Sequence, residues 1–214
     1  MELSKNLFNT TGLTFVSDEE YNNCGKDVES LIANCNENGN VPPIFAKSRF
    51  TDFDIDSSKI KDFCLDKTSQ RTLMMFGAVG VGKSSCMAAS MHERAVNGLD
   101  SGLYCSMRIL KPMIMTSRSF TAKESEMDLY NRFCNVKFLC LDEVGRCPDS
   151  QLEWEFLSIV LPFRYDNMLR TEIATNMDSR SFNNFIEANG KGADIWDRLC
   201  ADGMPIQLDG ESRR

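Results

Sequence analysis

Residues 74–87 read MMFGAVGVGKSSCM, and Gly77 to Ser84 fit the spacing G-x-x-x-x-G-K-[ST]. Each position has a chemical reason. Glycine backbone can curl with its N–H groups turned inward, so Gly77, Ala78, Val79, Gly80, Val81 and Gly82 form a cradle for a phosphate chain. A helix starts where the loop ends and points its positive end at the anion. Lys83 then reaches the β- and γ-phosphates, Ser84 coordinates Mg2+, and Ser85 completes the helix start beside them. The chemistry indicated is that of ATP with Mg2+.

A second pair follows. VKFLCLDEVG, residues 136–145, is an apolar run ending in Asp142-Glu143. An aspartate at a strand end near such a loop can hold the Mg2+ shell. A glutamate beside it can orient and polarise an attacking water, which favours hydrolysis over transfer to a small acceptor. The plainer alternative is two acids in a solvated turn. Asn176 stands at another strand end and could hold the γ-phosphate or the water, although asparagine after a strand is also an ordinary turn residue.

These groups need a scaffold, and the flanking pattern supplies one. TLMMF (72–76) reads as a short buried strand, and KSSCMAASMHERAVN as a helix stopped at Gly98. GLYCSM (102–107), the 136–145 run, TEIATNM (171–177) and the weaker MPIQLD (204–209) are further strands. Alternating strands and helices predict an α/β fold with a five-stranded parallel sheet, helices on both faces, and ligand beyond the strand carboxyl ends.

The bulk of the chain agrees with a globular domain of 214 residues, 42% hydrophobic and 26% charged. No apolar run approaches the ~20 residues of a membrane span, and MELSKNLFNT has no apolar leader core, so no membrane contact and a cytoplasmic location are expected. Nine cysteines without a C-x-x-C pair read as buried thiols rather than a zinc site or disulfide framework. Asn9–Thr11 matches a glycosylation acceptor that a cytoplasmic chain does not use. The single histidine, His92, falls inside the helix after the loop and reads as structural. Residues 1–66 hold 12 Asp/Glu against 6 Lys/Arg, most of the net charge of −7, so no general nucleic-acid footprint exists and any DNA contact is local.

Several motifs together resemble a known family. FLCLDEVG followed by a helix, then TEIATNM, IWDRL and GESRR, is similar to the AAA+ ATPase domain of DnaC-type replicative helicase loaders, with IstB-type transposition helper ATPases as near relatives. VPPIFAKSRFTDFDID (41–56) resembles the family's leading segment, and the likeness spans about residues 41–214. It implies a three-layer P-loop domain, with Asn176 as the sensor-1 residue, Arg198 as an arginine finger serving a neighbouring subunit, and Arg213 as the sensor-2 arginine contacting nucleotide in its own subunit. The alternative for Arg198 is an ion pair with Asp194 or Asp197. Two departures stand out. Asp194 occupies the place of a second family arginine, and the chain stops after SRR, so the C-terminal helical lid is expected to be minimal or absent.

Two regions are candidate partner sites. Ser17 to Glu20 fit a capping box, and Tyr21, Cys24, Val28, Leu31, Ile32 and Cys35 recur at helical spacing, which predicts one amphipathic helix and a linker at 36–43. Residues 1–40 thus form an N-terminal extension before an ATPase domain at 41–214. The helix either docks on that domain or grips a partner, which the resemblance implies is a replicative hexameric helicase. Residues 101–123 carry Arg108, Lys111, Arg118 and Lys123, no acid, and the aromatic Phe120. This is a local positive stretch suited to single-stranded DNA, a role the resemblance places on the inner surface of a ring or spiral self-assembly. Ile109, Leu110, Met113, Ile114 and Met115 are expected in the core. The resulting expectation is a DNA- or partner-stimulated ATPase that loads or remodels a replicative helicase. The alternatives are an IstB-type helper and a nucleotide-dependent adaptor that does not hydrolyse; a small-molecule kinase lacks a visible acceptor pocket and arginine-bearing lid.

Overall fold

The computed structural model describes residues 25–53, 57–100, 102–188 and 192–210. The capping box at Ser17, the apolar positions Tyr21 and Cys24, and Arg213 lie outside these residues.

Five strands form one parallel sheet: β1 (Thr72–Phe76), β2 (Leu103–Ser106), β3 (Phe138–Val144), β4 (Arg170–Thr175) and β5 (Gly203–Gln207), in the order β2-β3-β4-β1-β5. The central runs are apolar because both faces are covered: β1 and β4 are buried throughout. Among the described residues eight α-helices accompany them: α1 (Gly25–Asn38), α2 (Ser58–Cys64), α3 (Lys83–Val96), α4 (Leu110–Ser117), α5 (Glu126–Asn135), α6 (Ser150–Asp166), α7 (Ser179–Glu187) and α8 (Ala193–Asp202). One core cluster packs α4 to α8 against one face, around Phe133, Phe156 and Phe182. The other packs α1, α2 and α3 against the opposite face, around Phe63, Met87 and Met91.

Three details refine the sequence expectations. The first helix runs to Asn38, and the following residues form a tight turn instead of a loose linker: Gly39 N–H donates to Cys35 O at 2.8 Å, Val41 N–H donates to Asn36 O at 3.1 Å, and Val41 is buried. Secondly, α1 docks on α3, one of the two alternatives above, with Val28, Ile32 and Cys35 buried and Leu31 41% exposed. The His92 ring bridges Ser48 O (2.9 Å) and the Asn36 side chain (2.6 Å), a structural role that ties α1 to α3. Burial pushes its pKa down. Thirdly, Leu110 and Ile114 are buried and Met113 packs on the core, but Ile109 and Met115 are about half exposed. The i, i+4 pair takes the inner face of α4, and its neighbours are left on the outside.

Two buried ionisable side chains organise the sheet. Arg164 is 1% exposed; its guanidinium donates to the carbonyls of Phe133, Cys134, Val136 and Arg170 and to Thr171 Oγ1. It therefore clamps the end of α5, whose last carbonyls lack helical partners, to the start of β4. Glu172, in the middle of β4, is fully buried, beside the thiol of Cys140 and the hydroxyl of Ser90.

Among the described residues no helix is long and apolar enough to cross a membrane. The eight described cysteines are free thiols, six of them buried.

Candidate functional site

The sheet order puts β4 between β1 and β3, so the segments leaving their carboxyl ends are neighbours. Phe76 pairs with Thr175, which places Gly77 beside Asn176, a half-buried residue. Val144 in turn pairs with Thr175, whose Oγ1 donates to Val144 O at 2.9 Å. The glycine loop, the acidic pair and Asn176 thus share one edge of the sheet.

The loop conformation depends on its glycines. Gly77, Gly80 and Gly82 have φ of 152°, 91° and 104°, a region side chains rarely adopt. A Cβ on Gly77 would also meet Leu208 O at 2.3 Å, and one on Gly82 would press on the Phe53 ring at 3.2 Å. The leading segment therefore lies against the loop. Ala78 and Val79 are exposed on it, Val81 is buried beneath, and α3 begins at Lys83. The Lys83 ammonium is buried and donates to Gly77 O and Ala78 O, both at 2.7 Å. Burial pulls its pKa down, with Asp142 and Glu143 opposing.

The acidic pair owes its geometry to a bulge. Consecutive strand residues face opposite sides of a sheet. In β3 the register with β4 slips between Leu141 and Val144, and Glu143 has φ of 57°. A bulge of this kind re-aims side chains. Asp142 is buried and receives the Tyr104 hydroxyl on Oδ2 and the Glu143 N–H on Oδ1 at 2.8 Å, with the Ser84 side chain nearby. Burial raises its pKa, and these donors oppose the rise. Glu143 turns to the end of β2, where its Oε2 accepts from Ser106 Oγ at 2.9 Å and from Arg108 Nε at 2.7 Å. Beyond the strand, Glu153 from α6 accepts from the N–H groups of Gly145 (2.7 Å) and Cys147 (3.2 Å) and holds the turn. Burial pushes its carboxyl to about 6.

The donor set suits a hard cation. Ser84 and Asp142 offer oxygen ligands already adjacent, and such a site leaves room for phosphate and water oxygens. Among the described residues no group of three or more His, Cys, Asp or Glu side chains could hold a metal alone. Any Mg2+ here depends on nucleotide and water for most of its ligands.

Other sequence candidates lie elsewhere. Arg198, on α8, lines a small cleft with Thr72 and Thr171, near the amino ends of β1 and β4. Its ion pair is with Asp166 at 3.7 Å, not Asp194 or Asp197, and it lies over the Tyr165 ring at 5.7 Å. The basic stretch is largely neutralised by acids from outside it. Arg108 pairs with Glu143, Lys111 with Asp149 at 3.3 Å, and Arg118 with Glu126 through two bonds of 2.6 and 2.7 Å. Lys123 is exposed, and Phe120 is wholly exposed. Sequence reasoning missed Tyr104, Ser106 and Glu153 at the site. The only signal for the first two was the alternation of β2, which puts both on the face of Asp142 once Ser106 is paired with it.

Comparison with solved structures shows the fold to be shared with replication proteins. The chain superposes on DnaI with a TM-score of 0.63, at 20% identity over 81% of this chain and 94% of that one. For the DnaC helicase loader the TM-score is 0.60, at 17% identity over 78% of this chain and all of that one. For the replication initiator DnaA bound to AMPPCP and single-stranded DNA it is 0.61, at 14% identity over 80% of this chain and 51% of that one. No protein-family model and no curated protein sequence matches the chain.

Proposed function

We propose that this protein, which has the AAA+ fold of the DnaI and DnaC helicase loaders, is an ATPase that assembles on single-stranded DNA and loads or remodels a replicative hexameric helicase. The observation that carries the reading is the meeting of Lys83, Ser84, Asp142, Glu143 and Asn176 at one edge of that sheet.

Each residue has a task. Lys83 exchanges its two loop carbonyls for the β- and γ-phosphate oxygens, and the anion restores the ammonium that burial disfavours. The N–H groups of Gly80 to Ser85 hold the remaining phosphate oxygens. Ser84 and Asp142 would hold Mg2+, which neutralises charge on the phosphates. Glu143 polarises the attacking water once it leaves Ser106 and Arg108, and Asn176 orients that water or the γ-phosphate. Arg198 lies at the far end of the sheet from Lys83, so it serves the site of another copy in a ring or spiral. Arg213 is assigned to nucleotide in its own subunit by the family resemblance alone. Arg108, Lys111, Arg118, Phe120 and Lys123 form the DNA-facing surface, and residues 1–40 the extension that meets the helicase.

One observation favours a second reading. Glu143 is held by two donors, Ser106 and Arg108. A chain in which that restraint never lifts would be a nucleotide-dependent adaptor without hydrolysis. The test is phosphate release by the full chain with ATP and Mg2+, with and without oligothymidylate, beside Lys83→Ala and Glu143→Gln. Turnover that DNA stimulates and both substitutions abolish supports the ATPase. Binding of ATP without turnover under all these conditions supports the adaptor, and absence of ATP binding removes both.

A further inference from the structure

Tyr104 is a buried tyrosine in an edge strand, 4% exposed, with its hydroxyl turned toward the nucleotide edge of the sheet. Its ring fills apolar space that phenylalanine would fill equally well, so the hydroxyl needs a separate explanation. A buried hydroxyl requires a partner. Here the partner is the Asp142 carboxylate, through a short bond to Oδ2, with the Ser84 side chain close by. Asp142 Oδ1 is fixed separately by the Glu143 N–H. Tyr104 is thus bonded to the carboxylate that suits a cation, with the Ser84 side chain nearby.

The tyrosine is itself held from behind. Its backbone N–H donates to Gly39 O at 2.7 Å, so the turn after α1 covers the free edge of β2 at this residue. Gly39 leaves no room to shift: a Cβ there would meet Met91 Cε at 2.5 Å and Cys35 O at 2.6 Å. Cys140, paired with Tyr104 across β2 and β3, lies buried on the same face as Asp142.

We infer that Tyr104 is a positioning residue for the divalent cation that accompanies nucleotide: its hydroxyl sets the Asp142 carboxylate against Ser84, so that the pair meets the cation already oriented. This rests on the nucleotide-site reading above. Hydrogen bonds to a ligating carboxylate commonly change metal affinity by about 10- to 100-fold when removed. They do not alter phosphate contacts made by a glycine loop and its lysine. Tyr104 should therefore matter to the cation and leave metal-free nucleotide binding alone.

The experiment titrates the full chain with the fluorescent N-methylanthraniloyl derivative of ADP, first in EDTA and then along a Mg2+ series, with Mn2+ binding followed by electron paramagnetic resonance. Tyr104→Phe is expected to bind the probe in EDTA within twofold of the wild type. Its Mg2+ midpoint should rise about tenfold, with a parallel loss of bound Mn2+. Asp142→Asn should raise the midpoint on its own, and Tyr104→Phe added to it should change nothing further, because the tyrosine acts through that carboxylate. A Mg2+ midpoint unchanged in Tyr104→Phe, or an equal loss with and without Mg2+, overturns the inference while the site stands. A Tyr104→Phe chain that no longer melts cooperatively overturns it too, by assigning the hydroxyl to stability. Failure of the wild type to bind the probe, or to respond to Mg2+, removes the site reading and the inference together.

Discussion

Replacing Glu172 by glutamine should change the shape of the stability–pH curve as well as its height. The carboxyl is fully buried and pushed up to about 8 by desolvation, with Ser90, Cys140 and Arg94 opposing only in part. One of its oxygens, Oε1, has no hydrogen-bond partner, and the facing Ser90 hydroxyl has no well-formed one either. A pKa raised on folding means that the native state keeps a proton the unfolded chain releases. The contribution is complete below the unfolded value of about 4.5 and is lost as pH rises toward 8. At about 1.4 kcal/mol per pH unit, the wild type should lose about 3 to 4 kcal/mol between pH 5 and pH 8 from this group. Glutamine keeps the shape and cannot ionise, so Glu172→Gln should lose none of that. Urea unfolding of both chains at pH 5, 6, 7 and 8 isolates the effect, since other titrating groups cancel in the difference. The two curves should diverge steadily, with the variant ahead above pH 7. Parallel curves across that range would refute the reasoning, because they require a carboxylate that ionises in the native core at its ordinary pKa.

Arg164→Lys should destabilise by about 3 kcal/mol or more in the same urea assay, since one ammonium cannot reach the four carbonyls and the hydroxyl that the guanidinium bridges. Arg108→Ala should raise basal phosphate release several-fold while weakening its dependence on oligothymidylate, by freeing Glu143 from its ion pair; unchanged basal turnover would show that the pair does not restrain the base. Phe120→Ala should weaken binding of fluorescent oligothymidylate by about tenfold without altering the salt slope, the mark of a lost stacking contact. Lys123→Ala should lower that slope by about 0.7, the signature of one phosphate contact on a single strand.

The glycine loop, the acids and the sheet that carries them were legible because their signals are local. Gly77 to Ser84 form a fixed spacing, and the strands announce themselves as apolar runs whose limits fall within two residues of those expected. What escaped notice depends on lateral register. That Glu143 meets Arg108 follows from a bulge at the end of β3 and from the pairing of Ser106 with Asp142, and neither leaves a mark in the sequence. The basic stretch taught the same lesson in charge. Residues 101–123 hold no acid, yet Glu126 and Asp149 close on Arg118 and Lys111 from just beyond it. The apolar stripe of the helix ending at Asn38 has no partner in sequence, which left docking and partner binding both open; in the fold it lies on α3, some fifty residues on. Glu172 could not be recognised as a buried acid at all, since TEIATNM gives no sign that its charged residue faces inward.

Arg198 and Lys83 sit at opposite ends of a sheet whose strand β1 alone spans about 13 Å, at ~3.3 Å per residue. In the proposed ring or spiral, the arginine of each copy meets the loop of the next, a head-to-tail contact. An open array of such copies would always have one fewer finished site than it has members, with a bare arginine at one end and a bare loop at the other. A closed ring would finish them all. Enzymatic output per subunit would then rise with array length and level off, which turns the count of neighbours into a chemical signal.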